Sequence, residues 1–273
     1  MLAAERRSRI LTLVDNRGAI SVSQLVQRFE VSDMTIRRDL DSLARDGKLG
    51  KVHGGAVPLS NLRSVEPRFE AKSPHMDAEK DAIAARAATM VQPGMSVALS
   101  AGSTTWRLAQ ELRSLPDLTV ITNSPKVADV FDTDPRSDQT VLLTGGARTP
   151  SAALVGPLAV KSLKSLHVDL VFFGTHGFAL QAGFTTPNLL EAETNQALLA
   201  TGQRIVALAD HSKWNVVGTS TYARLSDADT VLSDTGLSQQ AQSVLAEHVK
   251  ELILARPRAA ALKSEEHQGS IVE

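Results

Sequence analysis

The sequence predicts an α/β protein of two domains, an N-terminal winged helix-turn-helix and a C-terminal open, mostly parallel α/β domain. Residues 21–56 read SVSQLVQRFEVSDMTIRRDLDSLARDGKLGKVHGGA, where two short amphipathic helices flank a tight turn and a basic hairpin follows. From residue 97 onward, short apolar runs alternate with helical stretches, which is typical of a parallel sheet covered by helices on both faces. Together these two patterns define the expected fold class.

The first helix of the helix-turn-helix is expected to begin after Ser21. Ser21 and Gln24 have the spacing of a capping box, in which each side chain satisfies a backbone amide at the start of the helix. The helix then carries four apolar residues on one face, which we expect to be buried: Val22, Leu25, Val26 and Phe29. Glu30 and Val31 form the turn to the next helix.

The second helix is the candidate recognition helix. Ser32 is a natural N-cap. Its apolar stripe of Ile36, Leu40 and Leu43 leaves the polar side chains on the other faces. An earlier helix, over residues 2–15, adds its apolar side to the same core. Gly47 is expected to end the recognition helix before the wing strands, which are predicted at residues 49–52 and 56–57.

Paired arginines near the start of a recognition helix lie where the phosphates and base edges of duplex DNA would be. We therefore predict DNA contacts from this helix and the wing: Ser32, Thr35, Arg37, Arg38, Ser42, Lys48, Lys51 and His53. The three wing residues are expected to contact phosphates. An alternative for Arg37 is a solvated ion pair with Asp33 or Asp41, four residues away, worth roughly a few tenths of a kcal/mol.

Charge and composition narrow the class of protein. The 273 residues carry a formal net charge of −1, but residues 1–57 hold ten Lys or Arg against seven Asp or Glu. A mildly basic head on an acidic body favours DNA binding by a few placed contacts over bulk charge. The absence of cysteine excludes disulfides, thiolate zinc sites and cysteine nucleophiles, and no metal or cofactor is predicted. Without a signal peptide pattern or a long apolar run, the protein is expected to be cytoplasmic, with no membrane partner.

Composition also predicts the domain boundaries. Residues 1–57 form the DNA-binding domain, and residues 58–75, with three prolines and no lasting period, form a linker. Residues 76–254 form the α/β domain. Residues 255–273 are polar, rich in small side chains and aperiodic, so we predict a disordered tail.

Four polar segments follow predicted strands of the α/β domain. They read SAGSTT at residues 100–105, TNS at 122–124, TGGAR at 144–148 and DHSK at 210–213. In an open parallel sheet, ligands bind at the carboxyl ends of the strands, and glycine-rich turns with helix-start amides suit anions. These segments predict a pocket for a small anion.

With these motifs in order, residues 5–235 resemble the DeoR family of bacterial transcriptional repressors. The resemblance rests on VSDMTIRRDLDSL, KVHGGA, GSTT, TNS, TGGAR and DHSK. It implies a sensor domain resembling ribose 5-phosphate isomerase, which detects a phosphorylated sugar or related metabolite and loosens DNA binding when occupied. Matching the motifs implies effector binding by Gly102, Ser103, Thr104, Thr105, Asn123, Arg148, Glu191 and Lys213, and His176 is a further candidate from the turn at residues 174–177.

Two positions depart from the family pattern. Ser100 stands where members usually carry Asp before the glycine-threonine loop, so the Asp that would contact a sugar hydroxyl is absent from this position. The turn GTHGF lacks the acidic pair that the isomerase uses for proton transfer, and His176 occupies that turn. His176 is either a ligand contact or a structural loop residue. His211, next to Lys213, is interpreted as a loop residue.

The function expected from these observations is sequence-specific transcriptional regulation without enzymatic activity. The chain is predicted to repress a carbohydrate-catabolism operon until a phosphorylated sugar binds. One winged head covers one half-site, so at least a homodimer is expected. The alternative is a sugar-phosphate isomerase-like enzyme with an appended DNA-binding domain, for which Glu191, Asp210 and His176 are the candidate acid-base groups. An architectural DNA protein is disfavoured by the nearly neutral charge.

Overall fold

The computed structural model describes residues 2–17, 20–46, 48–52, 55–58, 69, 76–133 and 138–257. The N-terminal unit contains the three predicted helices and a small sheet. Its elements are α1 (Ala3–Arg17), β1 (Ile20–Ser21), α2 (Val22–Phe29), α3 (Asp33–Arg45), β2 (Gly50–Val52) and β3 (Gly55–Val57). This is the predicted winged helix-turn-helix, in which α3 is the second helix of the motif.

The core of this unit forms where the apolar stripes of the three helices meet. Ile10 of α1, Leu25 of α2, and Ile36 and Leu40 of α3 are fully buried. The capping box predicted at Ser21 and Gln24 is present. Glu30 closes the turn in the left-handed region with φ 54°. The helix stop predicted at Gly47 lies outside the described residues.

The wing differs from its prediction in one respect. Besides the hairpin of β2 and β3, the short strand β1 joins the sheet, in the order β1–β3–β2. Gly55 pairs with Ser21, and a Cβ at Gly55 would lie 2.3 Å from the Ile20 carbonyl oxygen. A side chain is therefore excluded there, and the glycine allows the wing to pack against the start of α2.

The C-terminal unit is built on a seven-stranded parallel sheet in the order β15–β14–β12–β9–β4–β5–β6. Its strands are β4 (Ser96–Leu99), β5 (Thr119–Thr122), β6 (Thr140–Leu143), β9 (Val168–Gly174), β12 (Gly202–Leu208), β14 (Thr230–Asp234) and β15 (Glu251–Ala255). The predicted open, mostly parallel α/β fold is confirmed. The strand order reverses between β4 and β9, so the crevice where such sheets bind ligands lies at the ends of these two strands.

Helices cover both faces of this sheet. One face packs against α4 (Asp77–Ala88), α5 (Ser103–Leu112) and α6 (Pro125–Asp132). The other packs against α7 (Pro157–Leu163), α8 (Leu189–Leu199) and α9 (Gln239–His248). Successive residues of β9 follow this division, because Phe172 packs with the first group and Phe173 with the second. Among the described helices, none is long and apolar enough to cross a membrane.

Several strands were not predicted from the sequence. They are β7 (Ala147–Arg148) and β8 (Leu154–Val155), which pair with each other, and the antiparallel set β10 (Gly177–Ala179), β11 (Gly183–Thr186) and β13 (Ser220–Ala223). The last strand, β15, corrects the predicted tail, because Ala255 pairs with Asp234 and is buried. Residues 258–273 of that tail lie outside the described residues.

Candidate nucleic-acid interface and anion site

The start of α3 is held by its N-cap. The Ser32 Oγ accepts a hydrogen bond from the Thr35 amide at 3.2 Å and contacts the Thr35 hydroxyl at 2.9 Å. Because Ile36, Leu40 and Leu43 face the core, Arg37 and Arg38 are left exposed. The structure therefore places both arginines on the solvent side of the helix, as the apolar stripe predicts.

The predicted DNA-contacting residues of α3 differ in the contacts that their side chains make within the protein. Arg37 forms an ion pair with Asp33, four residues earlier, which is the alternative considered from the sequence. The half-buried Ser42 accepts a hydrogen bond from Arg7 of α1 at 2.6 Å. Arg38, by contrast, has no hydrogen bond or ion pair within the described part of the chain. Arg38 is thus the arginine of the pair that a ligand can engage without breaking an existing contact.

The wing contributes two exposed lysines. Lys51 of β2 forms an ion pair with Asp41 of α3, which links the wing to the recognition helix. Lys48 precedes β2 and is also exposed. The third predicted wing contact, His53, lies outside the described residues.

A buried ion pair that the sequence did not reveal anchors α3 from behind. Arg6 of α1 pairs with Asp39 of α3, and their side chains are only 10% and 8% exposed. Removing one partner of such a pair leaves a buried charge without compensation, which is strongly destabilising. This contact fixes the position of α3 relative to α1.

The second candidate site lies where the parallel strands of the large sheet end. The turn after β4 leads into α5, whose N-cap is Gly102, and no side chain caps this helix. Ser103, Thr104 and Thr105 are all at least nine-tenths buried in its first turn. A helix N-terminus with amides that no side chain caps favours an anion.

Two polar residues hold this turn in place through hydrogen bonds. The Gly174 amide donates to the Ser100 Oγ at 3.0 Å, which joins the ends of β4 and β9. The Asn123 Oδ1 accepts from the Ala101 amide at 2.8 Å, and its Nδ2 donates to the Leu154 carbonyl at 3.2 Å. Asn123 is fully buried. These two hydrogen bonds give the Asn123 carboxamide a role in holding the turn, and its contact with an effector stays a prediction.

The DHSK segment forms a short 3-10 turn at the end of β12. Its N-cap, Asp210, is buried and accepts a hydrogen bond from the Ser212 amide at 3.1 Å. The half-buried Lys213 closes the turn. Because β12 is next to β9 in the sheet, this turn lies at the same edge as the Gly102 turn.

His211 is held by a carboxylate from the neighbouring strand. Asp234, at the end of β14, accepts a hydrogen bond from the His211 amide at 2.7 Å and contacts its ring Nδ1 at 2.8 Å. The hydrogen bond to Asp234 raises the pKa of His211, although burial acts against it. Burial acts to raise the pKa of Asp234, but the bonds from His211 and the Gly236 amide lower it overall. The interpretation of His211 as a loop residue therefore omitted this paired charge.

Sequence reasoning also missed Lys80, a lysine of α4 that is only 2% exposed. Burial lowers its pKa to about 8, Asp210 acts to raise it, and Lys213 and Arg107 lower it further. Lys80 thus lies in the electrostatic field of the DHSK turn. The available signal was its spacing, because Lys80 falls on the same helical stripe as Ile83, Ala84 and Ala87, all buried.

Arg107 fastens the two helices that border this region. It lies on α5 and forms ion pairs with Asp77 and Asp81 of α4, one turn apart. Lys80 stands between these two aspartates in the sequence. The ion pairs of Arg107 therefore hold the part of α4 that carries Lys80 against α5.

The remaining predicted effector residues lie around this edge in different settings. Arg148 is exposed on β7, in the separate two-stranded sheet. His176 is half-buried in the turn between β9 and β10, and Glu191 is half-buried in the first turn of α8. The hairpin that carries Arg148 lies next to Asn123, because Leu154, the partner of Arg148 across the hairpin, is hydrogen-bonded to Asn123.

An aromatic contact joins this region to the residues before α4. Phe69, the one residue described between 58 and 76, is 7% exposed. Its ring meets the edge of Trp106, one residue past Thr105, with centroids 6.0 Å apart. Its amide donates to the Pro150 carbonyl at 3.4 Å.

Comparisons with known proteins agree on the family of this chain. The DeoR-like helix-turn-helix model matches residues 6–61, and the DeoR C-terminal sensor domain model matches residues 75–235. An uncharacterised HTH-type transcriptional regulator of Haemophilus influenzae is 35% identical, covering 93% of this chain and 98% of that one. A putative aga operon transcriptional repressor of Escherichia coli O157:H7 is 32% identical, covering 92% and 93%.

The solved structures that this chain resembles include ribose 5-phosphate isomerase from Plasmodium falciparum. The likeness is partial, with 18% identity, a TM-score of 0.38, and coverage of 51% of this chain and 53% of that one. It adds nothing about activity. The two family models and the full-length relatives carry the identification: this chain belongs to the DeoR family of helix-turn-helix transcriptional regulators, with an N-terminal DNA-binding unit and a C-terminal small-molecule sensor domain.

Proposed function

We propose that this regulator represses a carbohydrate-catabolism operon and that a phosphorylated sugar or related metabolite releases it from DNA. The name of one relative supports the repressor role, since it describes an operon repressor. The sensor domain model supports a small-molecule effector. Because its partner is chromosomal DNA, we infer that the protein acts in the cytoplasm.

One observation carries the choice of a phosphorylated effector. The buried Lys80 interacts electrostatically with Lys213 and Asp210 of the DHSK turn, which lies at the same edge of the sheet as the N-terminus of α5. A phosphate carries roughly two negative charges and three acceptor oxygens at neutral pH, which match two cations and a set of helix-start amides. A neutral sugar would bring no negative charge to these two lysines.

The test is a panel of sugar phosphates and their unphosphorylated sugars against the full chain. A phosphorylated effector is expected to raise the melting temperature by mass action and to release an operator duplex. Its unphosphorylated sugar is expected to do much less. If the free sugar stabilises the protein and releases DNA as well as its phosphate does, the proposed chemistry is wrong.

We also propose that the protein has no isomerase activity. The three candidate acid-base groups lie on different elements: Asp210 is hydrogen-bonded to Ser212 in the DHSK turn, Glu191 is in the first turn of α8, and His176 is in the turn between β9 and β10. Asp234, a further carboxylate at a strand end, is bonded to His211. General acid-base catalysis requires a group placed at the reacting carbon, and Asp210 and Asp234 serve the local structure. Incubation with pentose phosphates should leave their isomer ratio unchanged, and turnover at a rate that scales with protein concentration would overturn this proposal.

A homo-oligomer, at least a dimer, is the proposed DNA-binding form, because one winged unit covers one half-site. The sensor domain supports this: β6 is the last strand on its side of the sheet, and Leu142 and Leu143 are 43% and 47% exposed on it. Exposed apolar side chains on an edge strand are typical of an interface. Light scattering should give at least twice the chain mass, free or on the operator. A monomer in both states would refute the proposal.

A further inference from the structure

The outward face of α3 carries a large apolar side chain. Met34, in the first turn of the helix, is 62% exposed. On a helical wheel of 3.6 residues per turn, Met34 and Arg38 point away from the buried Ile36, Leu40 and Leu43. Met34 therefore lies at the centre of the face that a DNA duplex would meet.

The residues that flank Met34 are already engaged or point to the sides. Arg37 is paired with Asp33, and Asp41, further along the outward face, is paired with Lys51. Arg38 is exposed, and no contact holds it within the described residues. The first two turns thus offer one apolar group and one guanidinium that are ready for a partner.

The major groove of DNA carries chemical groups that match these two side chains. Its base edges are polar except for the thymine C5-methyl group, which apolar side chains contact. Arginine pairs with the two acceptors of guanine in the same groove. N-terminal residues of a recognition helix are the ones that reach base edges, and the flexible thioether of methionine adapts to such a contact.

We propose that Met34 reads a thymine methyl group and that Arg38 reads a guanine close to it. Four residues of helix advance by about 6 Å, close to two base-pair steps of about 3.4 Å. The two bases therefore lie within about two base pairs of each other in each half-site. This proposal rests on the proposed DNA-contacting role of α3.

The experiment begins with selection of preferred duplexes from a random library by the full chain. Each thymine of the selected site is then replaced in turn by deoxyuridine, which lacks only the methyl group. Wild-type affinity is expected to fall about four-fold at one position per half-site, the effect of one buried methyl group. Met34→Ala should bind more weakly and show no loss at that position, whereas Met34→Leu should keep it.

A matched control is Leu2→Ala, which removes another exposed apolar side chain, one outside α3. It should leave the uracil profile unchanged. If wild type and Met34→Ala lose affinity at the same uracil positions, Met34 does not read a methyl group, although DNA recognition stands. If the wild-type chain selects no sequence, the proposed DNA-contacting role itself fails.

Discussion

The recognition helix and the anion site present their functional side chains in opposite ways. On α3 the charged groups stand in solvent: the side chains of Arg37 and its partner Asp33 are 48% and 57% exposed. At the carboxyl edge of the large sheet they are enclosed, since Lys80 is 2% exposed and Thr105 is fully buried. A duplex meets a convex helix, whereas a small anion has to be surrounded.

This contrast determines how the charged groups of each site affect the stability of the protein before a ligand binds. Exposed ion pairs such as Arg37–Asp33 contribute little to stability and are screened by salt. At Lys80, by contrast, burial disfavours the charged form of the ammonium group and lowers its pKa. DNA affinity should therefore depend on salt, and effector binding should relieve an electrostatic cost inside the fold.

The largest effect is expected from Arg37→Ala together with Arg38→Ala. Each bidentate base contact is worth about 1 to 3 kcal/mol, so specific affinity should fall roughly thirty-fold or more. Of the single variants, Arg38→Ala should cost more, because Arg37 must first leave Asp33. Operator titrations at moderate salt measure this, with Arg86→Ala, exposed on α4, as the control. Wild-type affinity in the double variant would contradict the assignment.

Lys213→Ala should separate the two sites. Operator binding should persist, but the phosphorylated effector should no longer raise the melting temperature or release DNA, because its differential affinity for the two states is removed. Lys161→Ala, exposed on α7, is the matched removal of a surface lysine and should respond like wild type. Equal release of DNA by effector from wild type and Lys213→Ala would place the anion site elsewhere.

Lys80→Met tests the cost of the buried charge. The pKa of Lys80, about 8 against an ordinary 10.5, corresponds to up to about 3 kcal/mol lost at neutral pH, with the attraction to Asp210 already included. The unfolded chain holds this proton more tightly, so wild-type stability should rise between pH 8 and 10.5 as the penalty disappears. The variant should be more stable at pH 7, lack this rise, and bind the effector more weakly. Denaturant titrations across this range decide it, and an unchanged pH profile would speak against a buried charge.

His211 should give a smaller pH effect of opposite sign. Its pKa is raised by Asp234, so the pair stabilises the fold fully below about pH 6.5 and loses this stabilisation as pH rises through the elevated value. An NMR titration should show a His211 pKa above its ordinary value, returning towards it in Asp234→Asn. The same elevated pKa in Asp234→Asn would exclude this cause.

The smallest effect is expected on the wing. Lys48→Ala and Lys51→Ala should weaken all duplexes alike and reduce the salt slope of binding by about one for each phosphate that the variant no longer neutralises. Lys51→Ala should do less, because Lys51 is already paired with Asp41. A sequence-dependent decrease in affinity in either variant would indicate base contacts instead.

The two regions also differ in how far the sequence predicted them. Helix period and capping identify α2, the turn at Glu30 and the outward arginines, because each depends on neighbours within a few residues. The strand β1 was missed because two residues carry no pattern. The pair Arg6–Asp39 spans 33 residues and has no local signature.

The surroundings of the candidate anion site were predicted only in part for the same reason. The polar turns after β4 and β12 are visible in the sequence, and parallel topology brings them to one edge. Which polar groups face the candidate site depends on packing. Asn123, for example, accepts a hydrogen bond from the Ala101 amide. Lys80 lies on α4, which follows no strand of the large sheet, so the polar segments after the predicted strands do not include it.

The contact between Trp106 and Phe69 joins a tryptophan next to the candidate anion site to a residue of the segment that lies between the two units in the sequence. Trp106 follows the turn that is proposed to hold phosphate, and its indole edge meets the one described side chain of that segment. Indole emission depends on its immediate surroundings, so this tryptophan serves as an intrinsic optical probe of the segment. An effector is expected to change the fluorescence of the wild-type protein. If it does not change the fluorescence of Phe69→Ala, although this variant binds the effector with the same affinity, the change depends on the contact between Phe69 and Trp106.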